Sequence, residues 1–226
     1  MPRFELLLAD ADGTLLDFHA AEYAALHEAC ALHDVPLDDE RAASYKAINE
    51  SLWRALERGE VTQQALRTLR FSRFLESLGL ERDPERLANA FTDALAMHAE
   101  EIEGARAFVA AAAARVPVIV VTNGIASVQR SRFARTPMSR YFSGCVISGE
   151  VGFSKPDPRI LFKALEMGGV AAERALMLGD EPTSDIAAAR AAGVKSCWFN
   201  PTGRRNQTPH TPDFEVRALD EVLAWL

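Results

Sequence analysis

The chain has 226 residues, 48% of them hydrophobic and 25% charged, with a formal net charge of −7. That size suits one α/β domain with a large insertion, and the composition excludes a disordered chain. The negative balance argues against binding a nucleic acid polymer or an anionic membrane surface, because both need a positive field.

In chain order, the run Phe4-Glu5-Leu6-Leu7-Leu8-Ala9 reads as a buried strand, and Asp10-Ala11-Asp12-Gly13-Thr14-Leu15 directly after it reads as a polar loop at the strand's end. From about residue 18 to 98 the periodicity is helical, with almost no strand signal. One helix is expected over 21–32, a second from Asp38-Asp39-Glu40 to about 57 before Gly59, and a third from an N-cap at Thr62 to Gly79. A fourth follows Asp83-Pro84. Their apolar stripes can bury one another as a small bundle.

From residue 103 helices alternate with short β runs. Helices are expected at 105–114, 158–167, 183–192 and 219–226, and strands at 117–121, 144–148, 175–178 and 194–199. Residues 200–212, with three prolines, read as surface loop. The expected fold is α/β: a doubly wound, Rossmann-like parallel sheet built from residues 1–16 and 100–226, interrupted by a helical-bundle cap over 17–99.

The apolar stretch 105–121 is broken by Arg106, Arg115 and Pro117, and the first strand runs into aspartates where a secretion signal would have small residues. Cys30, Cys145 and Cys197 are far apart and lack metal-ligand spacing. Reduced thiols and a cytoplasmic location are expected.

The informative residues fall at strand ends: Asp10 and Asp12, then Thr122 and Asn123, then Lys155, then Asp180 and Asp185. Singly, an Asp could be a turn residue, Thr122 an N-cap and Lys155 a surface charge. Together they point to one site beyond the carboxyl ends of the strands. Carboxylates about 4 Å apart repel by about 4 kcal/mol at a protein site's effective dielectric, so Asp10, Asp12, Asp180 and Asp185 need a cation. Mg²⁺ suits an oxygen-only set, whereas zinc would favour His and Cys. Asp10 is then a candidate nucleophile. Asp12, two residues on in extended chain, points the other way and could protonate a leaving alkoxide and later deprotonate water. The Thr122 hydroxyl, the Asn123 N–H and the Lys155 ammonium would hold the phosphoryl oxygens.

With these residues in this order, the chain resembles the phosphatases of the haloacid dehalogenase superfamily. The D-x-D-G-T-L motif stands at Asp10 to Leu15, the Thr at Thr122, the Lys-Pro at Lys155-Pro156, and G-D-x-x-x-x-D at Gly179 to Asp185. The resemblance implies an HAD-like core and Mg²⁺ held by the Asp10 and Asp180 carboxylates, the Asp12 backbone carbonyl, and Asp185 directly or through water. It also implies that the helical insertion is a cap that closes over the core and admits small substrates. In the name-giving dehalogenases the Asp12 position is not an acid, so phosphate ester hydrolysis is favoured here.

The stretch Tyr45-Lys46-Ala47-Ile48-Asn49-Glu50-Ser51-Leu52-Trp53, together with Val121 to Gly124 and Ser148 to Pro156, resembles bacterial pyrimidine 5′-nucleotidases that clear noncanonical nucleotides. Tyr45, Asn49 and Trp53 share one face of a helix, where an aromatic could stack on a base and an amide read its edge, or where they could be cap core. The expected substrate is a small phosphate ester, a nucleoside 5′-monophosphate. A sugar-phosphate or phosphoglycolate phosphatase, a mutase, and a noncatalytic phospho-aspartate signalling or scaffold protein are the alternatives.

Overall fold

The computed structural model describes residues 3–226, apart from the side chain of Glu57. Residues 1 and 2, with which the expected core segment begins, lie outside the described residues. In order the elements are β1 (Leu6–Ala9), α1 (Phe18–Leu32), α2 (Asp39–Glu57), α3 (Gln63–Ser77), α4 (Pro84–Leu95), α5 (Ala105–Ala113), β2 (Val118–Thr122), α6 (Ala126–Arg135), β3 (Gly144–Ile147), α7 (Ser148–Val151), α8 (Arg159–Gly168), β4 (Ala175–Gly179), α9 (Ala187–Ala192), β5 (Lys195–Phe199) and β6 (Phe214–Val216). Two compact units result: the first holds the chain up to Phe18 and again from Ala99 to Leu226, and the second is His19–His98. No described helix is long and apolar enough to cross a membrane.

The first unit is a six-stranded sheet in the order β3-β2-β1-β4-β5-β6, with every neighbouring pair parallel. Its central strands are apolar up to their carboxyl ends because both faces are covered. Side chains alternate between the faces. Leu7, Ala9, Val118, Val120, Leu176 and Leu178 pack with Phe108, Val109 and Ala112 of α5. Leu6, Leu8, Ile119, Val121 and Met177 pack with Ile160, Leu161 and Ala164 of α8 and Ala188, Ala189 and Ala192 of α9. Each fully buried Leu, Ile or Val contributes about 1.5–3 kcal/mol.

The chain runs outward from β1 through β2 to β3, then crosses to β4 on the other side of β1 and runs outward again. That reversal opens a crevice at the carboxyl ends of β1, β2 and β4, where sheets of this kind bind ligands. Just beyond the crevice, the two segments that leave and re-enter this unit run side by side: Asp17 N donates to Glu100 O at 2.8 Å and Ile102 N to Leu15 O at 3.0 Å.

The second unit consists of four helices, the last three with side-chain caps: Asp38 accepts from Arg41 N, Thr62 from Ala65 N, and Asp83 from Glu85 N and Arg86 N. Leu66, Phe71, Phe74, Leu87 and Phe91 are buried together with Tyr45 and Leu52.

Three local departures from the sequence expectation occur. Helices α6 and α7 fill the stretch between β2 and α8 where only a strand was expected. The single helix expected over 183–192 is a π-helical turn, Pro182–Ile186, followed by α9, because Pro182 donates no N–H and the Asp185 carboxylate takes the N–H of Glu181 at 3.0 Å. The last helix is a 3₁₀ segment, Leu219–Ala224, and β6 adds an edge strand beyond the loop.

Candidate active site

Asp10 follows β1 directly, and its N–H donates to Leu178 O of β4 at 2.9 Å, which fixes it at the crevice floor. Lys155 reaches the same point from the loop after α7. The amide of Asn123 grips that loop from both sides: Nδ2 donates to Lys155 O and Oδ1 accepts from Lys155 N, each at 2.7 Å. Only 2% exposed, Lys155 places its ammonium on Asp10, on Val121 O at 2.9 Å and on Asp185 Oδ1 at 2.7 Å. Asp180 ends β4. Gly13, at φ +84°, lies so close to it that a Cβ there would sit 2.6 Å from the Asp180 carboxylate.

Asp10, Asp180 and Asp185 each offer one carboxylate oxygen, all within 4.8 Å of one another. Burial holds Asp10 well above the ordinary carboxylate range, opposed by Lys155 and reinforced by Asp185, Asp180 and Asp12. Burial also pushes Asp180 up to about 7, with Asp185 and Glu181 adding to it and Arg204 and Lys155 opposing it. Burial works against the Lys155 ammonium, but Asp10 and Asp185 outweigh it and raise its pKa. One ammonium thus pairs with two of the three carboxylates, Asp10 and Asp185, with Asp180 half-buried beside them. The remaining deficit of positive charge together with the all-oxygen donor set fits a hard divalent cation.

The Asp12 carboxylate lies outside this cluster. It faces α6, accepting from Gln129 Nε2 at 2.9 Å on one oxygen and from Arg132 on the other. Gln129 Nε2 also donates to the Thr122 hydroxyl at 2.8 Å, and Gln129 Oε1 accepts from Arg132 at 3.0 Å. Gln129 and Arg132 are buried and absent from the sequence-derived set. Their i, i+3 spacing on a helix just after the Thr122 strand was the available signal.

The three predicted cap residues belong to the helical unit. Tyr45, 1% exposed, packs against Phe71, Phe74 and Phe91 with ring centroids 5.2, 5.5 and 5.9 Å away. Asn49 is buried, donating to Glu22 at 2.6 Å and accepting from Arg70 at 3.3 Å. Ring and amide are thereby committed to internal partners, and Trp53 alone of the three is only partly buried.

A parallel α/β sheet with carboxylates and a lysine gathered at its switch point defines a Rossmann-type hydrolase. The family model described as haloacid dehalogenase-like hydrolase matches residues 4–193, and the chain belongs to that family. It is 33% identical to the HAD-hydrolase YfnB of Bacillus subtilis over 98% of this chain and 95% of that one. A crystal structure of YfnB bound to magnesium superposes with a TM-score of 0.93 over 98% of both chains. The chain is also 32% identical to pyrimidine 5′-nucleotidase PynA of Streptococcus pneumoniae, over 97% of this chain and 94% of that one, and to pyrimidine 5′-nucleotidase YjjG of Escherichia coli, over 97% and 96%.

Proposed function

We propose that this hydrolase is a Mg²⁺-dependent phosphomonoesterase that works through an aspartyl-phosphate and acts on nucleoside 5′-monophosphates, pyrimidine nucleotides above all. The observation that carries the chemistry is the separation of two aspartates two residues apart. Asp10 belongs to the cation-seeking cluster, and Asp12 is turned away to its own partners on α6. One is thus equipped as nucleophile and the other for proton transfer. The substrate class is supported by the near full-length likeness to PynA and YjjG.

Asp10 attacks the phosphorus in line, and the ester oxygen departs with a proton from Asp12, leaving the phosphoryl group on Asp10. Asp12, now a carboxylate, removes a proton from water as that water attacks the same phosphorus, which releases inorganic phosphate and restores both aspartates. Thr122, the Asn123 N–H and Lys155 offset charge on the phosphoryl oxygens. Asp10, Asp180 and Asp185, with the Asp12 carbonyl, would hold Mg²⁺, which supplies Lewis-acid charge neutralisation of the transferring group. We assign the choice among esters to the helical insertion. Three free cysteines accord with a reducing cytoplasm.

The test is phosphate release with Mg²⁺ from dUMP, dTMP, purine nucleotides, sugar phosphates and phosphoglycolate. Rates on dUMP or dTMP well above the rest are expected. Equal rates across the panel would remove the nucleotide assignment, and phosphorylation without turnover would favour a signalling role.

A further inference from the structure

The Gln129 side chain joins two of the proposed catalytic groups, and the chemistry of its partners settles which way each hydrogen bond runs. Arg132 can only donate, so the group facing it must be Gln129 Oε1, 3.0 Å away. The Asp12 carboxylate accepts, so the group facing it must be Nε2, 2.9 Å away. The second N–H of the same Nε2 then falls to Thr122 Oγ1 at 2.8 Å, and the hydroxyl is obliged to accept. A hydroxyl whose oxygen already accepts keeps its own proton for another partner.

We infer that Gln129 is a positioning residue that, oriented by Arg132, fixes Thr122 as a donor toward the phosphoryl group and holds the Asp12 carboxylate in its proton-transfer position; this rests on the phosphatase reading above. Gln129 is 1% exposed and Arg132 fully buried, so neither bond is traded for water. Room for the glutamine is built into the preceding loop: a Cβ on Gly124 would lie 2.4 Å from Gln129 Cγ. The hydrogen bonds of Gln129 run to the Asp12 side chain, Thr122 and Arg132 and to none of the three clustered carboxylates. The group of Asp12 assigned to the cation is its backbone carbonyl, so the effect of Gln129 on turnover is separable from cation binding.

Two substitutions separate hydrogen-bond polarity from packing. Gln129→Glu keeps the shape but presents an acceptor to Thr122, turning the hydroxyl proton away from the phosphoryl position, and a like charge to Asp12. Gln129→Met keeps the bulk and removes both bonds. In the full-length protein with Mg²⁺, both should lower kcat on a nucleoside monophosphate about 100-fold and weaken inorganic phosphate binding about tenfold, with Mg²⁺ affinity unchanged. First-turnover release from p-nitrophenyl phosphate, whose leaving group departs unprotonated, should fall less than release from the nucleotide. Gly124→Ala should reproduce the losses by displacing Gln129.

Wild-type kcat and phosphate affinity in Gln129→Glu would overturn the inference, as would loss of Mg²⁺ binding alongside activity, since a packing residue behaves that way. If the wild-type protein hydrolyses no monoester, the functional reading fails, while phosphate and Mg²⁺ binding by the variants still decide the role of Gln129.

Discussion

The Lys155 ammonium lies 2.7 Å from an Asp185 oxygen while also bonded to Asp10, so one buried cation holds one carboxylate at the end of β1 and another in the π-helical turn that follows β4. Breaking a buried pair by removing one partner costs about 3–5 kcal/mol. Lys155→Met should therefore destabilise the metal-free protein by about that much, with part of the loss recovered in Mg²⁺, and abolish most turnover. Urea unfolding with and without Mg²⁺ reads both effects.

Asp180, at about 7 in the folded chain, binds its proton far more tightly than an unfolded aspartate of 3.8. The folded state then holds more protons between those values, so stability of the metal-free protein should fall as pH rises from about 4 to about 7, by on the order of a few kcal/mol. Asp10 acts in the same direction. Thermal melts in chelator should show this slope, and Asp180→Asn should reduce it. Mg²⁺ should raise the melting temperature more at pH 8 than at pH 5, where it competes with protons.

Gly13→Ala combines a left-handed backbone with a Cβ placed 2.6 Å from the Asp180 carboxylate. The conformation alone costs about 1–2 kcal/mol, and the clash must move a proposed metal ligand. Mg²⁺ affinity measured by titration calorimetry should drop at least tenfold.

Residues at strand ends were legible in the sequence because an apolar run followed by Asp, Thr or Gly marks both the strand and its exit. Asp10, Thr122 and Asp180 are all of this kind. Gln129 and Arg132 were not. The buried face of α6 is Val128, Gln129, Arg132 and Phe133, so half of the positions that would show an apolar stripe are polar, and the helix itself went unpredicted. With three residues, β6 is too short to show a period. The helical spacing of Tyr45, Asn49 and Trp53 implies a shared face, but spacing does not say what covers it. In the fold Phe71, Phe74 and Phe91 cover the ring, and Glu22 and Arg70 take the amide.

In the helical unit, burial raises the Glu22 pKa against the opposing pull of Arg70 and Asn49. Arg70→Met should cost on the order of a few kcal/mol by removing the stronger of the two cations, Arg70 and Lys46, that act on the carboxylate, and adding Glu22→Gln should restore much of it. Denaturant unfolding of the two single variants and the double variant gives the coupling.

The most direct test of the account is covalent: acid-quenching the protein during turnover of dUMP with Mg²⁺ and locating the phosphoryl group by peptide mass spectrometry. The account predicts phosphate on Asp10 in the wild-type chain, and neither the adduct nor phosphate release in Asp10→Asn. Sustained phosphate release by Asp10→Asn, or wild-type turnover with the adduct on another residue, would contradict it.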